Sequence, residues 1–216
     1  ISCPYCKLPQ VNGGSNNYET LREIRDLPDR IFLWNELIPA AIERSAATHH
    51  DHTGSVDLNI LSIGGTWFTI EEEIKILFHS NINKNHTNIK YMTIDTNPTV
   101  NHMFTNLCIQ NALELPRTCY GINRNYFDIV IINGVVGWGI NNLEKAQQMM
   151  QKISESAKPD AIVIVGRNIP RLCCSLNIYE KSSLSPLSLN SRLPWRKSFW
   201  QEERFGGGHV FDVMAN

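Results

Sequence analysis

Apolar and polar positions along the chain follow two alternating periods. Runs of consecutive branched residues read as buried strands over Asp57 to Ile63, Ile89 to Asp95, Tyr126 to Asn133 and Ala161 to Gly166. Around them, apolar residues recur at the spacing that lines one face of a helix. Arg30 to Ala47 carries Ile31, Trp34, Leu37, Ile38, Ala41 and Ile42 in this way, with Pro39 placed to kink it. Asn142 to Ala157 carries Leu143, Ala146, Met149, Met150 and Ile153, and Pro159 closes it. Thr69 and Glu72 form a capping box for a helix through Ile74, Leu77 and Phe78, and Glu71, Glu72 and Glu73 suit its dipole. Asn97-Pro98 opens a further helix through Val100, Met103, Phe104 and Leu107, and a short third strand spans Leu107 to Gln110.

Strands and helices alternate, which predicts an α/β fold with a mostly parallel, doubly wound sheet and ligands at the carboxyl ends of its strands. Past Arg167 the periodicity weakens. Leu172 to Leu193 is rich in Ser, Leu and Asn, and Leu193-Pro194-Trp195 and Phe199-Trp200 bring aromatics beside Arg196 and Lys197, a mixture suited to a sheet edge or to a planar substrate. Gly206-Gly207-Gly208 then turns the chain, and His209 to Met214 returns as an antiparallel strand. Residues 1–56 read as an N-terminal arm and helical cover, and 57–216 as the α/β domain.

The chemistry concentrates in two strand ends. The first strand runs straight into Gly64-Gly65, and the second ends on Asp95. A strand, a glycine turn, a helix and a second strand with an acid at its tip form the opening unit of nucleotide-binding α/β folds. The turn lets a ligand approach the backbone, and the acid can take both hydroxyls of a ribose.

Composition narrows the partners. Lys and Arg number 20 against 21 Asp and Glu, so the broad basic footprint of a general nucleic-acid binder is missing. No apolar run approaches the roughly 20 residues that cross a bilayer, and the chain reads as soluble. Cys3 and Cys6 form a CxxC without a clear second pair among Cys108, Cys119, Cys173 and Cys174, so no zinc is assigned. The run His49-His50-Asp51-His52 reads as an exposed loop, since consecutive side chains point apart. A cytoplasmic location is expected. The even cysteine count and the sequon Asn85-His86-Thr87 keep an extracellular alternative open.

Taken in order, strand-Gly64, strand-Asp95, Asn111-Ala112-Leu113-Glu114-Leu115-Pro116, Phe127-Asp128-Ile129-Val130 and Lys158-Pro159-Asp160-Ala161 resemble the motif series of the class I S-adenosylmethionine-dependent methyltransferases. A narrower resemblance, to a group of small methyltransferase-like proteins partly linked to nodulation, rests on Asn133-Gly134-Val135-Val136-Gly137-Trp138-Gly139-Ile140, Val165-Gly166-Arg167-Asn168 and His209-Val210-Phe211. The resemblance implies S-adenosylmethionine as cofactor and methyl transfer to a small-molecule or peptide-borne acceptor. It also implies roles for individual residues. Ile63, Gly64 and Gly65 would pass close to the methionine and ribose, Asp95 would hold the ribose, and Thr96 and Asn97 would flank the adenine. Asn111 and Ala112 would meet the adenine edge, and Asn133, Gly134 and Val135 would lie beneath the reactive methyl.

No catalytic nucleophile is required or assigned. His52, His209 and Tyr18 are the bases within reach of the sheet edge, and Trp138 could wall an acceptor pocket. Departures from the family pattern are specific: Ser62 stands where the family commonly has an acid, and Thr66 and Phe68 stand where further glycines are usual, with bulky Trp67 between them. Those side chains point to a rival reading, a catalytically silent binding or structural protein that keeps the fold. A nicotinamide-dependent oxidoreductase is a third, and the third motif and terminal strand weigh against it.

Overall fold

Five parallel strands form the spine of the molecule: β1 (Val56–Ile63), β2 (Thr87–Asp95), β3 (Leu107–Ile109), β4 (Phe127–Val136) and β5 (Ala157–Ile169). The computed structural model describes residues 28–48, 56–64, 87–96, 107–117, 121, 124–136, 140, 143–169, 188–189, 196–200 and 208–216. Three further strands, β6 (Ser188–Leu189), β7 (Arg196–Trp200) and β8 (Gly208–Ala215), complete the described sheet. Its order is β3-β2-β1-β4-β5-β8-β6, and β7 also pairs with β8. β8 runs antiparallel to β5, β6 and β7, as the sequence pattern predicts for the C-terminal strand. The expected helices over Thr69 to Phe78 and from Asn97 lie outside the described residues.

Alternation along each strand sends apolar side chains to both faces. Leu58, Ile60, Ile129, Ile131, Ile162, Ile164, Phe211 and Val213 fill one face, and Leu61, Ile63, Ile94, Val130, Ile132, Val163 and Val165 the other. The first face is covered by α1 (Pro28–Phe32) and α2 (Ile38–Thr48), joined by a π turn over Leu33–Leu37. Pro39 has no N–H and its ring crowds the preceding turn, and the wider turn sits directly before it. The kink expected at Pro39 is thus a π turn, with Ile38 N–H bonded to Leu33 O. On the second face lies α3 (Leu143–Ser156), whose Ala146, Met149, Met150 and Ile153 are the buried stripe that its spacing predicts.

Two boundaries differ from the sequence reading. α3 ends at Ser156, and β5 begins at Ala157 opposite Phe127, so Pro159 lies inside an extended segment and does not close the helix. Asn216 fixes this junction. Its Nδ2 donates to the carbonyls of Ser154, Ala157 and Lys158, and its Oδ1 accepts from Ser154 Oγ at 2.7 Å, so carbonyls left open at the helix end are occupied. β4 also runs further than expected, through Gly134 to Val136, because a register shift after Asn133 lets it continue beside Arg167.

At the amino edge of the sheet, buried Asp128 ties three strands together. Its Oδ2 accepts from Asn59 N–H at 2.8 Å, and its Oδ1 pairs with Lys158 Nζ at 2.8 Å. Truncation in Asp128→Ala leaves the Asn59 amide without its acceptor and Lys158 without its counter-charge. Because Lys158 is partly exposed and can recover water, the expected loss is about 2–3 kcal/mol, below the full cost of breaking a buried pair. Urea denaturation with an unchanged slope and a lowered midpoint is the expected record.

Candidate functional site

Pairing registers bring three strand ends to one level. Ile63 stands opposite Ile94 on β2 and opposite Ile132 on β4, so Gly64, Asp95 and Asn133 follow side by side at the carboxyl edge. Gly64 N–H donates to Ile94 O at 3.0 Å, and Gln110 N–H to Asp95 O at 2.9 Å, which carries the ladder across this rim to β3. With neighbouring strands about 4.8 Å apart, Asp95 and Asn133 are about 10 Å from each other, with Gly64 between them. This is also the place where the strand order reverses, between β1 and β4, the position at which open α/β sheets leave a crevice.

Alternation places Ser62, Thr93, Asp95 and Asn133 on the face beneath α1 and α2. The cover reaches the same level as the rim. The Phe32 ring lies 6.0 Å from that of Phe211, Phe211 pairs with Gly166, and Gly166 pairs with Asn133. Ser62, Thr93 and Asn133 are buried among apolar neighbours. Among the described residues, Ser62 Oγ and Asn133 Oδ1 have no hydrogen-bond partner, an arrangement that costs about 1–3 kcal/mol for each group. In α1, burial pushes the Arg30 guanidinium below its ordinary value, while Asp29, 3.6 Å from Nε, pulls the other way.

The glycine turn is bare for a packing reason. Gly64 has φ +79°, and a Cβ there would collide with Val135 Cγ2 and come within 3.2 Å of Asn133 O. The bulged end of β4 brings Val135 over the turn, and Ile140 N–H holds the Val135 carbonyl at 2.8 Å. A ligand therefore has to meet Gly64 from the side that Val135 leaves open. The resemblance places Val135 with Asn133 and Gly134 beneath the reactive methyl, and its packing over Gly64 has no signal in the sequence. Ser62 is marked there only as a departure from the family's usual acid, and its burial is not foreseen.

The remaining positions named from sequence divide as follows. Ile63 is buried in the core on the α3 face, so only its backbone can line the rim. Thr96 is exposed just past Asp95. Asn111 caps a 3-10 turn, Ala112–Glu114, with its Oδ1 accepting from Leu113 N–H at 3.0 Å, so one lone pair of that oxygen is already used. Ala112 and Leu115 are buried against the α3 face. Cys108, one residue before the end of β3, is disulfide-bonded. Gly134 continues β4, and His209, the second residue of β8, stands opposite Asn168 near the same edge. Gly65, Thr66, Trp67, Phe68, Asn97, Trp138, Tyr18, His52, Asn85 and the Cys3-Cys6 pair lie outside the described residues. Among the described residues, no three His, Cys, Asp or Glu gather as metal ligands, and no helix is long and apolar enough to cross a membrane.

No family model matches the chain, and no curated protein matches it. Solved structures do. A proposed sarcosine dimethylglycine methyltransferase from Galdieria sulphuraria superposes with a TM-score of 0.53 at 10% identity, covering 87% of this chain and 86% of that one. The fold is that of the class I S-adenosylmethionine-dependent methyltransferases. An S-adenosylmethionine-dependent methyltransferase from Methanosarcina mazei gives a TM-score of 0.50 at 10% identity, over 74% of this chain and 92% of that one. The [4+2]-cyclase SpnF gives 0.50 at 10% identity, over 75% of each. Neighbours with this methyltransferase fold thus include a protein described by another activity, and at such identities the likeness fixes architecture alone.

Proposed function

We propose that the chain binds S-adenosylmethionine across this rim and directs its methyl group to a small-molecule or peptide-borne acceptor. The observation that carries the reading is the register that aligns Gly64, Asp95 and Asn133 at the point where the strand order reverses. The residues present suit the two ends of such a ligand. Asp95 offers a charged acceptor for the paired ribose hydroxyls. Asn133 Oδ1, about 10 Å away, and Ser62 Oγ on β1 between the two strands are buried acceptors without donors among the described residues, as an amino-acid end would supply. On the adenine side, Asn111 keeps one oxygen lone pair, Ala112 follows it beyond β3, and Thr96 follows Asp95 at the end of β2.

A bound sulfonium supplies a methyl group that is already activated for transfer. The protein's part is then alignment: Asp95 orients the ribose, the β4 end fixes the opposite side, and α1 with α2 shields the face from water. An acceptor that arrives unprotonated needs no general base. Within this reading, residues 57–216 supply the site and the N-terminal helices its cover. The motifs from Asn133 to Ile140 and at His209-Val210-Phe211 favour the small nodulation-associated group. A cytoplasmic location is proposed, with the even cysteine count and the Asn85 sequon supporting the extracellular alternative.

A silent fold is the second reading, favoured by the packing of Val135 over Gly64. Isothermal titration of the full chain with S-adenosylmethionine and S-adenosylhomocysteine separates the two. Saturable micromolar binding is expected, and absence of heat at millimolar ligand rejects the cofactor assignment.

A further inference from the structure

Val135 closes one side of the glycine turn. The bulge of β4 after Asn133 turns this side chain toward the α3 face, where it packs against that core, and a Cβ on Gly64 would meet Val135 Cγ2 and Asn133 O. On that side the main chain of the turn is already covered by protein. The side left open is the face beneath α1 and α2.

Two side chains on that open face lack partners. Ser62 is 1% exposed and Asn133 5% exposed, and among the described residues neither Ser62 Oγ nor Asn133 Oδ1 has a hydrogen bond. Ser62 pairs with Ile131, so Asn133 stands two residues further along the neighbouring strand, about 8 Å away between backbones. The face around them carries Ile131, Ile164, Phe211 and Phe32. Buried polar groups are nearly always satisfied, so two unsatisfied ones side by side mark a place that a ligand completes. An amide oxygen only accepts, whereas a hydroxyl both accepts and donates, a set that fits an ammonium beside a carboxylate.

We infer that the amino-acid end of the ligand turns away from the glycine turn and enters the face beneath α1 and α2, where its ammonium donates to Asn133 Oδ1 and Ser62 Oγ. The Ser62 hydroxyl keeps a proton to donate to the adjoining carboxylate. Ser62 and Asn133 thus select ligands that carry this end, and the main chain at Gly64 does not hold it. The placement rests on the cofactor reading above. Since both side chains are buried, the ligand reaches them only as the cover parts from the sheet.

Calorimetric titration with S-adenosylhomocysteine and with 5′-methylthioadenosine, which lacks the amino-acid end, tests the placement. The unaltered chain is expected to prefer S-adenosylhomocysteine about thirtyfold. Ser62→Ala and Asn133→Ala are each expected to lose about tenfold for S-adenosylhomocysteine while holding 5′-methylthioadenosine as before. Without ligand, Ser62→Ala is expected to melt no lower than the unaltered chain, because the hydroxyl it removes has no partner to lose. Val135→Ala clears the closed side of the turn and is expected to gain no affinity. A gain of about tenfold there would put the amino-acid end over Gly64 and overturn the placement. Equal affinity of the unaltered chain for the two ligands, a preference kept in both variants, or a lowered melting temperature in Ser62→Ala overturns it too, while the cofactor reading stands. Absence of binding by either ligand rejects the cofactor reading, and the placement falls with it.

Discussion

A Gly64→Ala variant is expected to lose about 3–5 kcal/mol of stability, the sum of a left-handed backbone forced on an L side chain and an overpacked contact. The two contributions have separate origins. At φ +79° the methyl group strains the backbone wherever it points, and here it points into Val135. Backbone at Asn133 O limits how far β4 can withdraw, since Asn133 is itself held in register with Gly166. Shortening the obstructing side chain tests the assignment. In a Gly64→Ala, Val135→Ala pair, the double-mutant cycle is expected to return about 1–2 kcal/mol while the backbone strain persists. Chemical denaturation of the four proteins measures it. Strict additivity would mean that Val135 is not what the turn packs against.

An Asp95→Ala variant is expected to bind S-adenosylhomocysteine about a hundredfold more weakly. Two hydroxyls donating to one carboxylate are charge-assisted bonds, and losing both costs about 3 kcal/mol after water is returned to the partners. The ladder does not depend on this side chain. Asp95 contributes its carbonyl to Gln110 N–H and its place opposite Ile109, and alanine keeps both. Asp95→Asn keeps an acceptor without the charge and is expected to lose about tenfold. Unchanged calorimetric affinity in both variants would place the ribose elsewhere and leave the rim without its proposed anchor.

What could be read from the sequence was what the backbone period and residue type decide locally. β1, β2, β4 and β5 are runs of branched residues too short and too dense for helices, and Ala146, Met149, Met150 and Ile153 keep helical spacing, so their classes followed directly. Asp95 was legible because an acid that ends an apolar strand has few uses in the core. By contrast, Pro159 misled the reading of a boundary: its ring forbids a helix interior, yet pairing of Phe127 with Ala157 had already ended the helix upstream. Asn111 was read for its free amide oxygen, and a backbone N–H two residues on had a prior claim to it.

Sequence alone determined the α/β alternation, the returning C-terminal strand and the two strand ends that carry Gly64 and Asp95, because these depend on periods of two and 3.6 residues and on turn chemistry. Tertiary structure alone decided that Asn133 stands level with them, that Ser62 Oγ and Asn133 Oδ1 are buried without partners among the described residues, and that Val135 crowds the glycine. The reason is that register and the bulge of β4 are set between strands distant in the chain, and no local pattern records which neighbour a side chain will meet.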